Sequence, residues 1–331
     1  MGRWIVKATI QGALSLLPDA QRWNRVLQTH FTRSIELSDE RFLAKWRQAE
    51  RHVEDWENHH GAFAGTNVLE LGTSWLPIVP LAMVLNGAGR VVSVDLQDLL
   101  TDECAMATLG RVDKLITSGA VQLRSSRALA RFRAVLQTAS TRTGRELLSD
   151  LGITCILGDA RRLELQAGSV DLFVSNNTFE HIPGEILTGI LREFARVASP
   201  RALGSHHVDM ADHYAQFDRS LSVYNFLRYS DATWRLINNR LQYQNRLRLT
   251  DFRAIQRAAG WNVVAETNET GPVAELEAIT VAPRFRGIPT ADLAVVTGWF
   301  VSSPVAVIAA TVALAPAVAN TTTAPIPEPV V

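Results

Sequence analysis

Short apolar runs that close on a glycine, an acid or an amide constrain this chain more than any other feature. They are TNVLELG at 66–72, GRVVSVD at 89–95, ITCILGD at 153–159 and SVDLFVSNN at 169–177. Rich in Val, Ile and Leu and alternating poorly with polar residues, they suit strands buried on both faces of a parallel sheet. Helical patterns separate them, as the crossovers of such a sheet require. Farther along, EILTGILREFARVA reads as a helix and ALGSHHVDM as a fifth strand. WNVVAET and ADLAVVTGWF read as the sixth and seventh, with a helical segment from about Asp251 to Ala259 before the sixth. There is no internal repeat, and the expected class is α/β.

Around this series lie additions. Residues from about Leu37 to His60 place Phe42, Leu43, Trp46, Ala49, Val53 and Trp56 at helical spacing, which predicts an amphipathic helix ahead of the sheet. The interval from Asp95 to Ile153 is over twice what one crossover helix needs, so it carries an insertion. Within it Arg124, Arg127, Arg131, Arg133, Arg142 and Arg145 occur with no acid between 119 and 145. That run reads either as a solvated face or subunit contact, which would suit a homodimer, or as a site for an anionic or polar acceptor. The organisation expected is a helical N-terminal extension over 1–60 and a catalytic domain over 61–303. Insertions fall at about 100–150 and 212–250, and a flexible tail covers 304–331.

The 331 residues carry 33 basic and 33 acidic side chains, so the balance gives no pointer to nucleic acid. With 47% hydrophobic residues there is material for a full core, which excludes a disordered chain. Cys104 and Cys155 have neither zinc-knuckle nor redox-pair spacing, and a reducing cytoplasm is the expected compartment. The apolar stretch around Ile10 to Leu17 lacks a convincing cleavage site, and Pro304 and Pro316 confine the apolar run near the C-terminus to 305–315. That is too short for a membrane span.

A nucleotide cofactor on an open parallel sheet lies beyond the carboxyl ends of the strands, where the first strand-to-helix turn must admit it to the backbone. VLELGTSWLP occupies that turn. Gly72 permits the turn, and Glu70 can accept a hydrogen bond from an ammonium group or its surroundings. Asp95 ends the second strand, where a carboxylate can take both ribose hydroxyls, and Asp159 ends the third, where one can accept from an adenine amino group. A nicotinamide dinucleotide fits worse, because after Gly72 the next glycines are Gly87 and Gly89 and the pyrophosphate fingerprint is missing.

VLELGTSW, VVSVDL, LGDARRLEL and SVDLFVSNNTFEHIP together resemble the successive motifs of class I S-adenosylmethionine (SAM)-dependent methyltransferases, over roughly residues 66 to 200. The resemblance implies a Rossmann-like, seven-stranded, mostly parallel sheet with an antiparallel last strand, and SAM as cofactor. It departs in the glycine-rich loop, where Ser74 and Leu76 stand at positions the family pattern fills with glycine.

On the acceptor side the fourth strand ends in Asn176, Asn177, Glu180 and His181, placed by position beside the cofactor's methyl group. His181 is a candidate base, or FEHIP merely starts a helix. HHVDMADH at 206–213 offers two readings besides a structural one. Asp209 and Asp212 could hold Mg²⁺, with imidazoles shifting the choice toward transition metals, or His206 or His207 could act without metal. Residues 224–252, rich in Tyr, Trp, Asn and Arg, suit either a polyhydroxylated acceptor or a helical cap. With HHVDMADH this segment looks similar to bacterial methyltransferases of carbohydrates or glycosylated natural products. The expected activity is O-methylation of a saccharide or glycosylated small molecule. A phenolic or other small natural product, or SAM binding without catalysis, are the alternatives.

Overall fold

The computed structural model describes residues 3–14, 37–239, 241 and 243–305. The tail expected beyond residue 305 lies outside the described residues. Helices Arg3–Leu14 (α1) and Asp39–His60 (α2) precede strand Asn67–Leu71 (β1), helix Ile78–Leu85 (α3) and strand Arg90–Asp95 (β2). The insertion expected after Asp95 is a set of three helices, Asp102–Thr117 (α4), Ser126–Leu136 (α5) and Gly144–Asp150 (α6). Strands Ile153–Leu157 (β3) and Val170–Asn176 (β4) follow, then helix Gly184–Val197 (α7) and strand Ala198–Asp209 (β5). Short helices His213–Phe217 (α8) and Asp231–Ile237 (α9) lead to Leu249–Ala258 (α10) and strand Trp261–Thr270 (β6). Val273–Glu277 (α11), Thr290–Leu293 (α12) and strand Val295–Pro304 (β7) complete the described chain.

The strands form one seven-stranded sheet in the order β3-β2-β1-β4-β5-β7-β6. The pairs from β3 across to β5 are parallel, whereas β7 runs antiparallel to both β5 and β6. This is the Rossmann-like arrangement that the family resemblance implied. Poor alternation in the inner strands has a direct cause: Leu172 and Val174 of β4 enter one core with α2 to α6, while Phe173 between them enters a second core with α7 and α10. Residues 291–293, expected to open the seventh strand, instead lie in α12; ladder pairing of β7 with β6 begins at Val295 opposite Thr270.

Helix α2 starts at a Ser38 cap whose hydroxyl accepts the Arg41 N–H. It buries Phe42, Trp46, Ala49, Val53 and Trp56, the expected face, but also His52. The arginines of the insertion hold elements together. Arg124 pairs with Glu54 and Glu57 of α2, Arg131 donates to the Asp150 carbonyl, Arg142 pairs with Asp150, and Arg145 with Asp98. A third core, containing Trp4, Tyr214, Tyr224, Phe226, Trp234 and Phe285, joins α1 to the segments after β5 and β6. Among the described residues no helix is long and apolar enough to cross a membrane.

Candidate functional site

The order β2-β1-β4 places the reversal of strand order at β1, the crevice where a ligand meets the sheet. Glu70 of β1 is 3% exposed and sits opposite Ser93 of β2, whose hydroxyl donates to it; Thr73 joins the same hydroxyl. Burial drives the Glu70 carboxyl up to about 7, with Asp95 adding to the rise and Ser93 and Lys45 opposing it. Gly72 then turns the chain at φ +91°, and a Cβ there would lie 2.5 Å from Thr178 Oγ1. Ser74 keeps the left-handed conformation, φ 59°, that a glycine would adopt without strain. Its N–H donates to Asp95 Oδ2 at 3.0 Å. The irregular glycine loop therefore retains a left-handed backbone, held from β2 by Asp95.

Asp95 also accepts the Gln97 N–H at 3.0 Å. Around it Thr73, Ser74, Gln97, Ile156 and Leu157 line a small hollow at the ends of β1 to β3. Leu96 and Leu157 flank this end of the sheet with 73% and 60% exposure, apolar surface that the strand-end acids drew no attention to. Asp159 is grasped by the Arg161 side chain at 2.6 Å and by its N–H at 2.9 Å, which holds its carboxyl down at about 2. A larger hollow, 310 Å³, opens among His60, Arg201 and Pro304 near the start of β5. It lies away from the strand-end acids.

At the ends of β4 and β5, parallel pairing sets Asn176 beside His207 and Ser175 beside His206. Alternation sends the two histidines to opposite faces. His206, 1% exposed, places Nδ1 2.9 Å from Ser175 Oγ and stacks on Phe179; burial pulls it down to about 3. His207 lies toward Trp299 with its Nδ1 buried and without a hydrogen-bond partner, and burial again lowers it, to about 4.

Helix α2 closes this corner from above. His52 Nε2 is 2.9 Å from Asn176 Nδ2, and His52 Nδ1 is 2.6 Å from Ser205 Oγ, which donates to Asp55 Oδ2. Because the Ser205 proton points to Asp55, His52 donates through Nδ1 and accepts from the Asn176 amide through Nε2. The amide is thus fixed with Oδ1 turned away from His52, buried and unpartnered. Lys45 and Gln48 continue the polar stripe at helical spacing. Lys45 faces the negative charges of Glu180 and Glu70, and Gln48 Oε1 is buried without a partner. The sequence signal for this stripe was the interruption of the apolar face at 45, 48 and 52.

Beyond β4, Asn177 adopts φ 51° and Thr178 donates to the Leu71 and Asn176 carbonyls at 3.2 Å. Glu180 follows, 1% exposed, with neither carboxylate oxygen hydrogen-bonded. Burial and the charge of Asp209 raise its pKa well above the usual range, against a smaller opposing pull from nearby backbone N–H groups and Lys45. His181 places Nδ1 2.7 Å from the Tyr243 carbonyl, and its ring lies 5.1 Å from that of His213. Asp209 Oδ2 is 3.4 Å from His213 Nε2 and accepts from Gln216, and Oδ1 accepts the Ala211 N–H. Asp212, 0% exposed, serves elsewhere: it caps α8 through the Tyr214 N–H at 2.8 Å and accepts from Asn225 at 3.1 Å. The acids expected to share Mg²⁺ are therefore separated by role, Asp209 beside the histidines and Asp212 in the cap.

The aromatic and amide-rich segment after β5 uses its polar groups internally. Asn245 donates to the Phe179 and Ile182 carbonyls at 2.7 Å, and Arg248 to those of Met210 and Leu293 at 2.6 and 2.8 Å. Arg246 pairs with Asp231 at 2.6 Å between the Trp234 and Phe285 rings. Of the two readings of this segment, these contacts are those of a cap.

Residues 120–203 match the family model described as a methyltransferase domain, a span that takes in β3, β4 and α7. No curated protein matches the sequence. Among solved structures, a geranyl diphosphate C-methyltransferase from Streptomyces coelicolor A3(2), in complex with Mg²⁺, geranyl diphosphate and S-adenosyl-L-homocysteine, is 11% identical. The match covers 77% of this chain and 78% of that one, with a TM-score of 0.43. An S-adenosylmethionine-dependent methyltransferase from Mesorhizobium loti is 13% identical over 75% of this chain and 95% of that one, with a TM-score of 0.40. A SAM-dependent methyltransferase from Methanosarcina mazei is 10% identical over 74% and 96%, with a TM-score of 0.41.

Proposed function

We propose that this chain is a SAM-dependent methyltransferase that methylates a hydroxyl oxygen of a small polyhydroxylated acceptor such as a saccharide. The observation that carries the reading is the group of buried polar atoms left without partners where β4 and β5 end beneath α2. Gln48 Oε1, Asn176 Oδ1, Asn177 Oδ1 and His207 Nδ1 belong to it. Buried polar atoms are nearly always paired, so a cluster of orphans points to a polar ligand that completes it. An apolar acceptor would leave every one of them unsatisfied, at about 1–3 kcal/mol each.

The cofactor cradle fits SAM. Gly72 holds a left-handed turn packed directly against Thr178, Ser74 presents left-handed backbone, and Asp95 stands where ribose hydroxyls would donate. Leu96 and Leu157 offer apolar faces to an adenine, and Glu70 supplies negative charge near the turn. Asp159 would reach the adenine amino group only with lone pairs that Arg161 leaves. When bound, SAM supplies a methyl group on a sulfonium, which the acceptor oxygen takes as the carbon–sulfur bond breaks. As that oxygen bonds carbon its proton becomes strongly acidic, so a weakly basic neutral imidazole suffices to accept it. His207 holds such a nitrogen, while His206 is committed to Ser175 on the other face. Asn176 is held by His52 so that its carbonyl oxygen orients the acceptor.

Transfer of labelled methyl from SAM to pools of saccharides, phenols and amines tests the reading. Label should enter the saccharide pool, and His207→Ala should lower turnover about 10²- to 10⁴-fold with SAM affinity retained. Label entering only phenols or amines would overturn the hydroxylated acceptor. SAM binding without transfer to any pool would favour a non-catalytic SAM-binding protein.

A further inference from the structure

Glu180, His181 and His213 each offer a ligand atom, and these atoms lie within 4.8 Å of one another. Two loops bring them together. Glu180 and His181 stand in the turn after β4 and His213 opens α8 after β5, so the parallel pairing of those strands sets the two loops side by side. We propose that these three residues form a binding site for a divalent transition-metal cation, with Asp209 beside it.

Two independent features support this. First, Glu180 is a carboxylate 1% exposed with both oxygens unpartnered, placed next to the negative charge of Asp209. A buried acid in that setting is costly unless a cation or a proton compensates it. Second, the His181 ring is preset. Its Nδ1 faces the Tyr243 carbonyl at 2.7 Å, which fixes the proton on Nδ1 and leaves the Nε2 lone pair free, the usual arrangement behind a metal-ligating histidine. Asp209 similarly holds His213, 3.4 Å from its Nε2.

The donor set also selects the ion. Two imidazoles and one carboxylate favour Zn²⁺, Mn²⁺ or Fe²⁺, whereas Mg²⁺ prefers oxygen ligands and retained water. The acid pair Asp209 and Asp212 is replaced as the ligand set, because both Asp212 oxygens are engaged in capping α8 and binding Asn225. Three protein ligands leave coordination positions open, which suits a cation that binds an acceptor oxygen and lowers the pKa of its hydroxyl. That role rests on the methyl transfer proposed above; the binding of the ion does not.

The full chain, stripped with chelator and dialysed, is titrated with Zn²⁺ by calorimetry and with Mn²⁺ by electron paramagnetic resonance, and SAM affinity is measured in the same preparations. One saturable equivalent of either ion is expected, with Mg²⁺ binding at least 100-fold more weakly. Glu180→Gln, which removes a buried charge and should fold, and His213→Ala are each expected to weaken Zn²⁺ at least tenfold and leave SAM affinity within about twofold. Absence of saturable binding, affinity unmoved in both variants, or Mg²⁺ binding as tightly as Mn²⁺ would overturn the proposal. Loss of SAM binding by the unmodified chain would instead count against the methyltransferase reading, with the ion titration unaffected.

Discussion

Replacing Gly72 with alanine places a methyl group where the fold leaves no room for one, and the size of the effect can be worked out. The residue holds φ +91°, and the new Cβ would meet Thr178 Oγ1 at 2.5 Å and Thr178 Cγ2 at 2.8 Å. The left-handed backbone alone costs an alanine about 1–2 kcal/mol, and the overlap adds about 1–3 kcal/mol of overpacking. Together these predict a loss of about 2–5 kcal/mol, and at about 2–4 °C per kcal/mol the unfolding midpoint falls by roughly 4–20 °C. A cycle with Thr178→Ala separates the two parts. That substitution forfeits hydrogen bonds to Leu71 and Asn176, about 1 kcal/mol, but removes the clashing atoms. The double variant should therefore be more stable than the sum of the single losses by about 1–2 kcal/mol. Denaturant unfolding of the four proteins, with calorimetry of SAM binding, measures both effects. Strict additivity, or a Gly72→Ala protein with unchanged midpoint and SAM affinity, would refute the tight cradle.

Asp95→Ala should weaken SAM binding at least tenfold, since charge-assisted hydrogen bonds contribute about 1.5–3 kcal/mol each before compensation; calorimetry giving the same affinity in a folded variant would sink the ribose assignment. SAM affinity should rise as pH increases through about 7. Glu70 is neutral below that value and charged above it, and a carboxylate holds a cationic ligand better; the rise should disappear in Glu70→Gln, and a persisting rise would implicate another group. Asp212→Ala should cost about 0.5–2 kcal/mol through loss of the α8 cap, with Zn²⁺ affinity unchanged, and tighter coupling to the ion would return Asp212 to the ligand set.

The sheet was legible because its inner strands β1, β2 and β4 are apolar on both faces and close around Glu70, Asp95 and Asn176; β3, read as equally buried, lies at the sheet edge with Thr154 and Leu157 exposed, yet Asp159 after it still marks the carboxyl edge. The acceptor side was harder to read, since residue type tells what a side chain can do and not what occupies it. Asp209 and Asp212 look alike in HHVDMADH, yet one lies beside His213 and the other caps a helix. The pairing of Glu180 with His213 depends on β4 and β5 being neighbours, which no spacing within one segment reveals. His52 was hidden in the period of α2, where a buried histidine and a core apolar residue occupy the same kind of position. The aromatic and arginine content of 224–252 suggested recognition, but its donors are taken by backbone carbonyls of neighbouring loops, at Phe179, Ile182, Met210 and Leu293, which would otherwise be buried unpaired.

The hydrogen bond from Trp299 to Asp55, 2.7 Å long, joins residues 244 positions apart. During synthesis at about 5–20 residues per second, roughly 12–50 seconds separate the emergence of the two. Through that interval the aromatic face of α2 already has α3 to pack on and, once residue 209 has emerged, β5 as well; what it lacks until the end is β7 with its Trp299 indole. The last described strand thus fastens α2 rather than covering it, since Asp55, which already accepts from Ser205, gains its indole donor only when Trp299 arrives.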